Sequence, residues 1–140
     1  MKKMCLTTLI VLMLAALKVS SNIIYNHNEH EVLDTHQLGE IFTRRQKYWE
    51  DGSKITVFIK PINSVEHKFF VFNWLRMTHN AYKTKLERET YSGNSIGLIE
   101  VKSDVDMLIR VANTQDSIGY IDNKLLIRGV KNVKIITDPQ

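Results

Sequence analysis

Residues 60–67 gather the groups that binding an anion requires. Lys60-Pro61-Ile62-Asn63-Ser64-Val65-Glu66-His67 leads from a β-branched stretch into a helical apolar pattern. Lys60 supplies positive charge, Ser64 a hydroxyl, and Asn63 a second small polar side chain at the turn. If the helix opens at Ser64, the amides of Val65, Glu66 and His67 are unsatisfied N–H groups of its first turn. The helix dipole favours negative charge at that point. The same residues admit a plainer reading, in which Ser64 only caps the helix and Glu66 complements the dipole. Both readings stay open on the residues alone.

Other constellations carry less. Ser92-Gly93-Asn94-Ser95 offers donors for an anion but reads more simply as a turn, and Thr35 at a second helix start reads simply as a cap. His27, Glu29, His30 and Glu31, with His36 nearby, lack the i, i+4 histidine spacing and the four placed ligands of zinc sites. They read as a solvated polar loop, and no metal or other cofactor is expected. No G-x-S-x-G, Walker or H-E-x-x-H pattern occurs. Glu87 and Glu89 lie on a charged helix and face different ways, so catalysis is not expected.

The elements that must position these residues follow from periodicity. Ser21–Tyr25 reads as a short buried strand and Asn26–Glu31 as a loop. Thr35 caps a helix with Leu38, Ile41 and Phe42 on one face. Asp51-Gly52 is a turn signal. Lys54–Lys60 alternates Ile55, Val57 and Ile59 with Thr56 and Phe58, the best strand pattern in the chain, and Pro61 ends it. Asn63 or Ser64 caps a helix through Met77 whose apolar residues wrap most of its circumference. Such a helix is expected to be buried on more than one side, with Phe70, Trp74 and Met77 in the core. A charged helix spans Ala81–Glu89 and ends in the Tyr91–Asn94 loop. Ser103 with Asp106 opens another helix in capping-box fashion, with Val105, Leu108, Ile109 and Ala112 at helical spacing. Strands are expected at Ser117–Ile121 and Val133–Thr137, with Leu125–Ile127 as a possible third. Alternating strands and helices predict an α/β fold with a mixed sheet flanked by helices.

The order of these features resembles a known family. Leu38-Gly39-Glu40-Ile41-Phe42 and Tyr48-Trp49-Glu50-Asp51-Gly52 resemble the "IF…W.DG" segment of phosphate-type periplasmic substrate-binding proteins. Ile59–Ser64 followed by Phe69 or Phe70 resembles that family's strand–loop–helix ligand segment, and Tyr91-Ser92-Gly93 its aromatic-Ser-Gly turn. Asp116-Ser117-Ile118-Gly119-Tyr120-Ile121 resembles its "aIGY" strand, and the likeness extends over residues 22–137. It implies a type II periplasmic-binding-protein-like fold, of which this chain has room for a single lobe. It also implies phosphate or a related oxyanion as ligand, an ABC transporter as recipient, and Lys60 and Ser64 at the arginine and serine places of an Arg-x-x-x-Ser-Gly-Thr segment. Val65 and Glu66 replace the glycine and threonine. Lysine lacks the bidentate fork of arginine, and glutamate brings a negative charge beside the anion.

Targeting and charge complete the expectation. Lys2 and Lys3 precede an apolar run, Leu6–Leu17, too short to cross a bilayer, and Val19-Ser20-Ser21 supplies small residues for cleavage. Residues 1–21 are therefore expected to be a signal peptide, and 22–140 one domain. The formal charge of +4 falls to about +1 without Lys2, Lys3 and Lys18, leaving 16 basic against 15 acidic residues. That balance argues against nucleic acid as a partner. The only cysteine, Cys5, precedes the apolar run, so no disulfide framework is available. The expected function is an exported, periplasmic or secreted, non-enzymatic substrate-binding-like module without stable membrane insertion. The alternative is an envelope interaction or scaffold protein that keeps the lobe without its ligand and docks a partner through Trp49, Phe58 or helix 67–77.

Overall fold

A computed structural model describes residues 21–28, 33–92 and 97–137. Of the expected signal peptide (1–21), residues 1–20 lie outside them, as do His30 and Gly93–Ile96. Ten elements follow in chain order: β1 (Asn22–Asn26), α1 (Thr35–Phe42), β2 (Thr56–Ile59), α2 (Val65–Trp74), α3 (His79–Tyr91), β3 (Leu98–Glu100), α4 (Asp104–Asn113), β4 (Ser117–Ile121), a 3-10 turn (Lys124–Ile127) and β5 (Lys134–Thr137).

The strands form one mixed sheet in the order β3-β2-β4-β1-β5. β2 runs parallel to both β3 and β4, while β1 is antiparallel to β4 and β5. Strand alternation divides the core between the two faces. Ile23, Tyr25, Val57, Ile59, Ile118 and Tyr120 point to the face covered by α1, α2 and α3, where Leu38, Ile41, Phe42, Phe70, Val71, Trp74, Tyr82 and Leu86 meet them. Ile24, Phe58 and Ile121 point the other way, onto Met107, Leu108 and Val111 of α4 and the Leu126–Val133 segment. Gly119 lets α4 approach closely, because a Cβ there would lie 2.7 Å from the Met107 sulfur.

Several expectations are corrected. Asp34, not Thr35, caps α1; its carboxylate accepts from the Gln37 amide at 2.7 Å, and the Gln37 side chain accepts from the Asp34 amide. A carboxylate one residue earlier thus takes the capping place and Thr35 becomes the first helical residue. Leu125–Ile127 falls within a 3-10 turn, since Gly129 at φ 76° reverses the chain before a strand can extend. β3, a three-residue edge strand, carried no pattern long enough to read. The segment at 26–31 is only partly a loop: Asn26 ends β1 and His27 is buried. α2 is covered on one side only, because Val65, Phe69 and Phe72 are 67%, 46% and 64% exposed. Trp49 and Phe58 are buried and unable to dock a partner. Among the described residues, no helix is long and apolar enough to cross a membrane.

Candidate functional site

The parallel strands place two helix starts at one edge of the sheet. β2 ends at Ile59 beside Glu100, where β3 ends. The chain then passes Lys60–Ser64 into α2, while β3 leads through Ser103 into α4. Helix N-termini therefore collect where the parallel strands end, the usual ligand edge of open α/β sheets.

Ser64 begins α2 with an extended backbone (φ −70°, ψ 151°), and its hydroxyl oxygen accepts the His67 amide at 3.2 Å. Its own amide closes the preceding turn onto the Pro61 carbonyl at 2.8 Å. The His67 amide is thus committed within the helix, and the Val65 and Glu66 amides remain as the outward donors of the first turn. Ser64 keeps its hydroxyl proton to donate. Asn63 is exposed at the same turn, as are the side chains of Val65 and Glu66.

Lys60 and His67 turn inward. The Lys60 amide donates to the Tyr120 hydroxyl at 2.8 Å, and that hydroxyl lies 2.6 Å from His67 Nδ1. Tyr120 stacks on Phe70 with ring centroids 3.8 Å apart, which fixes the hydroxyl beneath the start of α2. The Lys60 side chain is 6% exposed, and its ammonium bonds to Asp104 and, at 3.3 Å, to Asp122. Burial pulls its pKa down, but the two carboxylates outweigh that effect and hold it above the ordinary lysine value. Asp104 also accepts the amides of Asp122 and Asn123, at 3.1 and 3.0 Å.

Sequence reasoning placed Lys60, Asn63, Ser64, Val65, Glu66 and His67 in one segment, and the structure separates them into two groups. Ser64, Asn63 and the first-turn amides face outward; Lys60 and the His67 ring join a buried network with Tyr120, Asp104 and Asp122. The last three were missed. Their partners lie 44 to 62 residues away in sequence, beyond any local pattern.

A second polar cluster occupies the opposite sheet edge. His27 lies 2.7 Å from Asp116 and 3.6 Å from Asp51, and stacks on Trp49 at 4.8 Å. The Trp49 indole donates to the Asp116 carbonyl at 3.0 Å. These contacts clamp the end of β1, the 49–53 turn and the start of β4 together. Among the described residues, no three histidine, cysteine or acidic side chains are placed to hold a metal.

No protein-family model matches the chain, and no curated protein matches it in sequence. Solved structures do match in fold. PstS from Borrelia burgdorferi superposes with a TM-score of 0.65 at 16% identity, over 86% of this chain and 49% of PstS. An ABC-type phosphate transport receptor from Vibrio cholerae gives 0.51 at 20%, over 86% and 48%. A Clostridium perfringens protein solved with bound phosphate gives 0.55 at 13%, over 86% and 56%. The fold is phosphate-binding-protein-like, and the chain spans about half the length of these proteins.

Proposed function

We propose that this phosphate-binding-protein-like lobe is an exported, non-enzymatic binding module whose ligand is phosphate or a related oxyanion, held at the start of α2. The observation that carries the reading is the outward-facing first turn of α2 at the ligand edge of the sheet. It offers the Val65 and Glu66 amides, the Ser64 hydroxyl and the Asn63 side chain at a positive helix end. Two of the neighbours support it, one described as a phosphate transport receptor and one solved with bound phosphate. Lys60 and the His67 ring act from beneath, by fixing the loop through Tyr120. In this reading residues 1–21 direct export to the periplasm and are removed.

Phosphate titrations of the wild type, Ser64→Ala and Glu66→Gln test the assignment. Ser64→Ala should weaken binding while the fold persists. Glu66→Gln should tighten binding about two- to five-fold, because a charge at a helix N-terminus contributes about 0.3–1 kcal/mol. Unchanged affinity in both variants would remove the site from α2.

The exposed Val65, Phe69 and Phe72 favour a second reading, in which the lobe docks an envelope protein through α2. They line a shallow apolar depression with Lys68, and large apolar side chains so grouped are uncommon on a surface that meets only water. Phe72→Glu should abolish such an association and leave phosphate affinity unchanged; loss of phosphate binding with Ser64→Ala alone would favour the first reading.

A further inference from the structure

We propose that the Lys60 ammonium and the amides of Asp122 and Asn123 form a second oxyanion site, selective for small monoanions, that the chain's own Asp104 carboxylate occupies. One oxygen of Asp104 bonds to Lys60 Nζ, and the other accepts the amides of Asp122 and Asn123 at 3.1 and 3.0 Å. A buried cation and two converging amides form the donor set that carboxylates and phosphates seek. The site is built, because the lysine side chain is 94% buried and Tyr120 anchors its backbone amide from below. Asp104 is the first residue of α4, so the plug and the helix move together.

The remaining contact sets the selectivity. Asp122 Oδ2 lies 3.3 Å from the same ammonium, so with Asp104 gone the site keeps one positive and one negative group. A singly charged carboxylate restores the native balance. A dianion such as sulfate brings one more negative charge than Asp104 carries, and that charge faces Asp122. The occupant that fits is a small monoanionic oxyanion such as formate or acetate. These donors are distinct from those of the α2 turn, so the inference holds whether or not α2 binds phosphate.

Chemical rescue of Asp104→Ala tests this. Melting temperatures of the wild type, Asp104→Ala, Asp104→Asn and the double variant Lys60→Met/Asp104→Ala are measured in sodium formate, acetate, sulfate and chloride at matched ionic strength. Formate and acetate should raise the melting temperature of Asp104→Ala saturably, by about 4–8 °C. Sulfate should do less and chloride nothing. The wild type should not respond to formate or acetate, because this site is full, and neither should Asp104→Asn, whose carboxamide still fills it, nor the double variant, which lacks the cation; a sulfate response through α2 would be equal in all four proteins. The rescue should persist in an added Ser64→Ala background, which separates it from the α2 site. If Asp104→Ala does not fold in chloride, recovery of the folded state in formate is the same readout. An equal formate or acetate response in wild type and Asp104→Ala, rescue that survives loss of Lys60, or no response of Asp104→Ala to either carboxylate would each overturn the proposal.

Discussion

Burial changes the chemistry of His67 within the range where proteins are handled. The Tyr120 hydroxyl accepts the Lys60 amide and lies 2.6 Å from His67 Nδ1, while the other ring nitrogen, Nε2, points away from it. That atom is buried with no hydrogen-bond partner among the described residues. Burial, and secondarily the nearby His79, lower the His67 pKa from 6.5 to about 4. Between those values the unfolded chain binds a proton that the folded chain refuses. The stability contributed by neutral His67 is therefore complete above about pH 6.5 and is lost as the pH falls toward 4. Melting temperatures from pH 8 to 4 should decline across that window, and His67→Gln should flatten the decline; identical slopes would contradict the burial of a neutral ring. Tyr120→Phe strands the Lys60 amide and His67 Nδ1 together, and urea unfolding should show a loss of about 1–3 kcal/mol for each group left unpaired. The sequence showed His67 at the first turn of a helix and nothing of its ring, because its partner lies on a strand 53 residues later.

Among the elements, α2 carries both candidate functions, the anion-binding turn at its start and the apolar depression along its exposed side. Its inner side is legible from Phe70 and Trp74 at i, i+4, which the sheet covers. Its outer side was misread, because apolar residues around most of the circumference suggested burial all round, whereas α1 and α3 leave Phe69 and Phe72 uncovered. Ser64→Ala should cost about 1 kcal/mol through loss of the cap on the His67 amide, measured by urea unfolding. That loss sits beside any effect on anion affinity and separates from it by its persistence in phosphate-free buffer. On the far side of the sheet, Gly119→Ala drives a Cβ to 2.7 Å from the Met107 sulfur and 3.3 Å from Val111 Cγ2. It should destabilise by about 1–3 kcal/mol; an unchanged unfolding midpoint would mean that α4 stands farther from β4 than described. β4 itself was readable residue for residue, because five consecutive buried positions follow a turn at Asp116 (φ 63°). β3 was not, because three residues at an edge, two of them exposed, give alternation nothing to act on.

At the scale of the whole molecule, the fold is one α/β lobe with helices on both faces and its parallel strand ends at a single edge. That architecture was legible, since β2 and α4 carry a clear period, α2 and β4 are apolar runs, and each has a cap or turn at its ends. The site was legible only where it is local. Ser64 and the first turn of α2 form within five residues, whereas the neutralisation of Lys60 depends on Asp104 and Asp122, which only the packing of α4 against the sheet brings near. The chain spans about half the length of the phosphate-binding proteins it resembles in fold. The account stands on that edge binding an oxyanion. The direct test is a thermal melt of the wild type and Ser64→Ala in millimolar phosphate, sulfate and chloride at equal ionic strength. A ligand at about 100 times its Kd adds roughly 2.7 kcal/mol to stability. The account predicts a saturable, phosphate-dependent rise in the wild-type melting temperature that Ser64→Ala reduces; a cooperative wild-type melt with the same midpoint in all three salts would contradict it.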